Sequence, residues 1–135
     1  MKPKFRIEKI LGDMASYRSF GDTPPPLEFF NRVTDDEQLV GVYTNNEQYR
    51  IYLSTQRLFL TQADQVVIVP YAEILDTRLP QADKEEIEHI EVTVRDRGRI
   101  LVHVLNGEGR FRDVFEFARL IKRLTSPARN ESPGR

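Results

Sequence analysis

The stretch of sequence that decides the fold is Tyr49-Arg-Ile-Tyr-Leu-Ser-Thr-Gln-Arg-Leu-Phe-Leu60. Its first half repeats with a period of two, which predicts a half-buried strand in which Tyr49, Ile51 and Leu53 alternate with Arg50, Tyr52 and Ser54. Residues 54–57 form a predicted turn, in which the hydroxyl groups of Ser54 and Thr55 can bond the local backbone. A second apolar run follows, so the stretch predicts a β-hairpin.

Five further runs of strand-forming residues flank this hairpin. They lie at residues 39–43, 66–69, 75–79, 90–94 and 100–105, and turn-forming residues separate them. Seven short strands at regular spacing are typical of an antiparallel sandwich or barrel.

The periodicity changes near residue 111 to that of an amphipathic helix of about four turns. The residues at this spacing are Phe111, Val114, Phe115, Ala118, Ile121 and Leu124. Asp113 in the first turn and Arg123 near the end suit the helix dipole, and Pro127 follows the helix. We therefore expect a mainly β fold with a C-terminal α-helix that closes the open corner of the core.

Three motifs occur in a characteristic order between residues 35 and 124. They are Glu37-Gln-Leu-Val-Gly-Val-Tyr43, the hairpin at 49–60, and Val66-Val-Ile-Val-Pro-Tyr-Ala-Glu-Ile74. In this order they resemble the pleckstrin-homology (PH) superfold, in its GRAM-like or bacterial PH-like version. The resemblance implies a PH-like roll of about seven antiparallel strands in two near-orthogonal sheets, capped by one helix. It also implies a family whose members often self-associate.

The sequence divides into three predicted segments. Residues 1–34 form an N-terminal extension with a short amphipathic helix, a proline break at 24–26 and one helical turn near residues 27–30. Residues 35–125 form the PH/GRAM-like domain. Residues 126–135 contain prolines and a glycine but no large apolar side chain, which predicts a disordered tail.

The charge is unevenly distributed along the chain. The net charge is −1, which argues against a nucleic-acid partner. Bases exceed acids by three in residues 1–10 and by four in residues 110–135, so residues 11–109 carry the balance of −8. No run of apolar residues approaches the ~18 that a membrane span needs, and no secretory segment is evident. We expect a cytoplasmic protein, with peripheral membrane association left open.

The residues that carry chemistry predict neither catalysis nor a cofactor. Cysteine is absent, and no nucleophile, paired-acid or phosphate-loop motif is evident. His89 and His103 are expected to face each other across a hairpin, but no third ligand lies at metal-like spacing, so no metal site is expected. Thr34-Asp-Asp-Glu37 matches a capping box but precedes β sequence, which indicates a turn. We expect no enzyme and no small-molecule substrate.

Two sets of residues are candidate binding sites. The first is an anion or lipid-headgroup site, because guanidinium groups bind phosphate and carboxylate in pairs of hydrogen bonds: Arg50, Arg95, Arg97 and Arg99. In a PH-like roll the 95–99 hairpin lies at the same open end as the 44–48 turn. That turn lacks the basic run of phosphoinositide-binding PH domains, so specific inositol phosphate recognition is not expected. The alternative is a solvated, functionless loop.

The second set is apolar and belongs to the N-terminal segment: Phe5, Ile7, Ile10, Leu11, Phe29 and Phe30. A loose tail carrying this many large apolar side chains would be poorly soluble, so the segment either wraps the domain or docks on a partner or second copy. The expected function is a non-enzymatic PH/GRAM-like binding module that acts in protein interaction or self-association. The alternative is a peripheral membrane module that binds anionic lipid headgroups through the 95–99 hairpin.

Overall fold

Two antiparallel sheets and two α-helices make up the part of the chain that the structure, a computed structural model, describes: residues 2–21, 33–34, 36–107 and 112–125. The helices are α1 (Pro3–Leu11) and α2 (Asp113–Thr125). The strands are β1 (Tyr17–Ser19), β2 (Leu39–Thr44), β3 (Tyr49–Ser54), β4 (Arg57–Gln62), β5 (Gln65–Pro70), β6 (Ile74–Arg78), β7 (His89–Val94) and β8 (Gly98–His103).

The strands follow one another in chain order within each sheet. The five-stranded sheet runs β1-β2-β3-β4-β5 and the three-stranded sheet runs β6-β7-β8. A 3₁₀ turn at Tyr71–Glu73 joins them, and the described strands form no closed barrel. The predicted fold class, mainly β with a C-terminal helix, is confirmed. The sequence missed β1, because a three-residue strand is too short to show a period of two.

The five-stranded sheet is buried on both faces, which corrects the prediction that β3 is half-buried. Ile51 and Leu53 belong to the main core between the sheets. Tyr52 and Phe59 point to the opposite face, where they form a second cluster with Phe20. Tyr52 stacks on Phe20 with ring centroids 6.4 Å apart and planes 5° from parallel. Alternation in the sequence showed the period of the strand but not what covers its second face.

Helix α2 covers the main core with a wider face than its sequence predicted. Six of its residues are buried: Val114, Phe117, Ala118, Leu120, Ile121 and Leu124. Phe117 is fully buried and meets Tyr43 edge-to-face at 5.6 Å, whereas Phe115 is only partly buried. The predicted apolar stripe omitted Phe117 and Leu120. The wider buried face follows because α1 also packs on α2 and covers more of its surface.

The described part of the N-terminal segment packs into the main core. Ile7 and Leu11 of α1 are fully buried there. The Tyr17 hydroxyl donates to the Glu8 carboxylate at 3.2 Å, and its ring lies so close to Gly41 that a Cβ at residue 41 would overlap it. The predicted boundary at residues 34 and 35 stays a prediction. The proline break, the helical turn near 27–30 and the tail at 126–135 lie outside the described residues.

Candidate functional site

An open cleft separates the edge strands β5 and β8. Within the described residues β5 pairs only with β4, and β8 pairs only with β7, so the two sheets are not joined at this side. The cleft encloses a cavity of about 80 Å³, whose lining includes Leu60, Val67, Ile100 and Leu101. It exists because the twisted sheets pack face to face over the core but diverge where their edges do not hydrogen-bond.

Side-chain bridges close the cleft at both ends. At one end the Arg97 guanidinium donates to the backbone carbonyl of Ile68 in β5 at 2.5 Å. At the other end the side-chain amide of Asn45 donates from Nδ2 to the backbone carbonyl of His103 at 2.7 Å. Its Oδ1 accepts from the backbone amide of Leu105 at 2.8 Å. The Arg97 contact joins the β7–β8 hairpin to β5, whereas the Asn45 contacts join the β2–β3 turn to the end of β8. The length of the cleft between them leaves strand edges open to a ligand.

The lining of the cleft combines exposed apolar side chains with polar groups and one arginine. Val67 is 36% exposed and Leu101 is 43% exposed, which is high for large apolar side chains. Arg50 lines the cavity, and no carboxylate is among its described lining residues. Arg99 is the second residue of β8, and its guanidinium lies 3.6 Å from the Glu91 carboxylate.

The four arginines of the predicted anion site lie at two separate places. Arg50 is near the Asn45 end of the cleft, whereas Arg95, Arg97 and Arg99 belong to the β7–β8 hairpin at its other end. The amide of Arg95 donates to the Glu73 carbonyl at 2.9 Å, which ties the hairpin to the 3₁₀ turn. The expectation that the hairpin and the 44–48 turn share one end is therefore wrong, because Asn45 bonds the far end of β8.

The two histidines face each other across the β7–β8 ladder, as the sequence predicted. His89 pairs with His103 in register, with ring centroids 6.0 Å apart, and Tyr49 contacts His103 at 5.7 Å. Partial burial and then the charge of His89 lower the pKa of His103 below its ordinary 6.5. The described residues contain no group of three or more His, Cys, Asp or Glu side chains that could hold a metal ion.

The apolar N-terminal candidates that the structure describes differ in burial. Ile7 and Leu11 are fully buried in the main core, which favours, for these two residues, the alternative that the segment wraps the domain over the alternative that it docks on a partner. Ile10 is partly buried against the same core, and Phe5 is 58% exposed. Phe29 and Phe30 lie outside the described residues.

A buried ion pair lies at the β3–β4 turn and was not predicted from the sequence. The Arg57 guanidinium donates to both Glu37 carboxylate oxygens, at 2.9 and 2.5 Å, and the Ser54 hydroxyl also donates to Glu37. Burial alone would raise the pKa of Glu37, but the hydrogen bonds from Arg57, Ser54 and the Thr34 amide hold it below its ordinary 4.5. The Glu37 amide donates to the Thr34 carbonyl at 3.1 Å, a contact that agrees with the predicted turn.

A second cavity, of about 300 Å³, lies between the two helices. Its described lining is Arg6, Lys9, Ile10, Arg119 and Arg123. The spacing of these cations is visible in the sequence, where Arg6 and Lys9 are three residues apart and Arg119 and Arg123 are four apart. Residues at these spacings share one helix face.

Neither described helix has the length and apolar character needed to cross a lipid bilayer. The chain was also compared with protein-family models, with curated proteins and with solved structures, and none of them matches it.

Proposed function

We propose that the chain is a non-enzymatic binding module that takes up an extended segment of a partner protein in the β5–β8 cleft. The observation that carries the proposal is the pair of unjoined strand edges with two exposed apolar side chains between them. A strand edge offers unpaired backbone donors and acceptors, and an added strand satisfies them while its alternate side chains enter pockets. Val67 and Leu101 would supply the apolar contacts for those side chains.

The size of the cleft favours a polypeptide over a small molecule. Pockets for small ligands are typically ~300–1,000 Å³, whereas this cavity is about 80 Å³. That volume accommodates one or two side chains of a segment whose backbone stays outside, along the strand edges. The same comparison argues against a carrier of small ligands.

The charge around the cleft favours an acidic segment. Arg50 lines the cleft, and the described lining includes no carboxylate. Guanidinium groups bind carboxylates through paired hydrogen bonds. We therefore expect the partner segment to alternate apolar side chains with Asp or Glu.

The resemblance to PH and GRAM-like domains is consistent with a binding role, because one fold can carry lipid, peptide or self-association functions on different surfaces. The alternative function, binding of anionic lipid headgroups through the 95–99 hairpin, is weakened by the hairpin contacts. Arg97 is bonded to Ile68 and Arg99 lies beside Glu91, so two of its three guanidinium groups already have acceptors in this chain.

The test is selection of short random peptides against the whole chain, followed by fluorescence anisotropy on a selected peptide. We expect Val67→Lys/Leu101→Lys to weaken that peptide about tenfold or more. Burying one such apolar side chain is worth ~1.5–3 kcal/mol, and 1.4 kcal/mol is a factor of ten. The matched control is Leu75→Lys/Leu79→Lys, since these two side chains are also exposed but do not line the cleft.

Two results would overturn the peptide proposal. One is the absence of any selected peptide, and the other is an equal loss of affinity in both double variants. Light scattering tests the second copy as occupant: a dimer that Val67→Lys/Leu101→Lys dissociates would replace the external partner with self-association. Binding to anionic vesicles that is lost when Arg95 and Arg99 become Glu would instead establish the lipid alternative.

A further inference from the structure

We infer that the cavity between α1 and α2 is a binding site for a phosphate group. This site is separate from the β5–β8 cleft and goes beyond the proposed function, because the two cavities share no described lining residue. The packing of α1 on α2 forms it: Ile7 and Leu11 fix α1 against the core, and the helices leave about 300 Å³ beside that contact.

The composition of this cavity is the first argument. Four of its five described lining residues are cations, Ile10 is the fifth, and no carboxylate is among them. Glu116 lies 3.1 Å from Arg119 one turn earlier on α2 and offsets part of this charge. The remaining positive potential, concentrated in a concave site, favours an anion of more than one charge.

The spacing of the cations is the second argument. Like charges three or four residues apart on a helix destabilise it, and both helices carry such a pair on the face that lines the cavity. The helix dipole accounts for Lys9 and Arg123, which lie in last turns. Arg6 and Arg119 lie nearer the middle of their helices, where the dipole contributes less, and Arg119 also pairs with Glu116.

The chemistry of the side chains identifies the ligand class. Three guanidinium groups and one ammonium group match the oxygens of a phosphate, which guanidinium groups bind through paired, charge-assisted hydrogen bonds. The cavity volume reaches the lower end of the range for small-ligand pockets. The phosphate belongs either to a soluble phosphorylated molecule or to the headgroup of an anionic phospholipid.

The experiment titrates the whole chain with two probes. Inorganic pyrophosphate, followed by calorimetry, represents the soluble source, and vesicles of phosphatidylcholine with phosphatidylglycerol represent the lipid source. We expect Lys9→Gln/Arg123→Gln to weaken binding of the responding probe about tenfold or more. The matched control, Lys4→Gln/Lys122→Gln, removes one cation from each helix at positions that do not line the cavity and should bind as the wild type does.

Each outcome has a defined meaning. Binding of pyrophosphate alone assigns a soluble ligand, and binding of vesicles alone assigns a headgroup; both keep the phosphate site. Binding of neither probe by the wild type overturns it, as does an equal loss in the two double variants, which would show an effect of net charge. A measurement without variants serves if the first double variant does not fold: pyrophosphate should shift the methyl signals of Ile10 but not those of Ile90 in the three-stranded sheet.

Discussion

The two sheets differ in the number of faces that they bury. In the five-stranded sheet, Leu53 points into the main core and Phe59 into the second cluster, and both are fully buried. In the three-stranded sheet, Val92 and Val102 point into the main core. The residues on the opposite face are half-buried or exposed, and among them Leu101 is 43% exposed.

The two sheets also differ in how deeply their ion pairs are buried. Glu37 lies at one end of the five-stranded sheet with its side chain fully buried against Arg57. Glu91 lies on the outer face of the three-stranded sheet, about a quarter exposed, and its partner Arg99 is 67% exposed. The difference teaches that the larger sheet serves stability on both faces, whereas the outer face and free edge of the smaller sheet remain accessible to a ligand.

The largest expected effect is on the outer face of the larger sheet. Phe59→Ala should lower the free energy of unfolding by roughly 3–5 kcal/mol, because it removes a fully buried ring from the second cluster. Leu101→Ala, on the corresponding face of the smaller sheet, should change it by no more than about 0.5 kcal/mol. Urea denaturation of the two variants gives both numbers, and a Phe59→Ala loss below about 1 kcal/mol would show that this face is not a core.

The buried ion pair should produce the next effect. Glu37→Gln leaves Arg57 without its carboxylate and should lower the free energy of unfolding by roughly 1.5–3 kcal/mol at neutral pH, the range for hydrogen bonds to charged groups. Glu91→Gln is the matched control and should cost less than about 1 kcal/mol, because its ion pair with Arg99 is largely in solvent.

The pH dependence of this loss follows from the lowered pKa of Glu37. The stabilisation from its ionised form is complete above the ordinary value of 4.5 and disappears as the pH falls through the lower folded-state value. Denaturation at acid pH should therefore show a steeper loss in the wild type than in Glu37→Gln. Parallel curves for the two proteins would contradict the assignment of this pair.

The strands and the C-terminal helix were predictable because their information is local. Alternation over 49–54 and 90–94 set the faces of β3 and β7, and the symmetry of His89 and His103 about the intervening turn gave their register. The width of the buried face of α2 was not predictable, because it depends on where α1 packs. The PH-like identity of the fold stays a hypothesis that rests on the sequence resemblance.

The candidate sites were less predictable, because each depends on elements distant in sequence. The cleft arises where β5 and β8 fail to pair, and no local pattern records the absence of pairing. The cavity proposed for phosphate lies between α1 and α2, which come from opposite ends of the chain. The sequence does show that both ends of the chain are basic, and this excess of positive charge is its one indication of the cavity between the helices.

The smallest expected effect tests the accessible face of the three-stranded sheet through His103. Partial burial and then the charge of His89 keep its folded-state pKa below 6.5, and Glu88 only partly offsets them. Below pH 6.5 the unfolded chain therefore binds a proton at residue 103 more readily than the native chain does. The free energy of unfolding consequently decreases as the pH is lowered from 6.5 to the folded-state pKa of His103. The loss should stay below about 1 kcal/mol, because solvent screens a partly exposed group.

Denaturation between about pH 7.5 and about pH 5 should show a flatter profile for His103→Gln than for the wild type. His89→Gln should flatten the profile only in part, since it removes the second cause and leaves burial. An unchanged slope in His103→Gln would mean that this face is as open to water at the histidine pair as it is at Leu101.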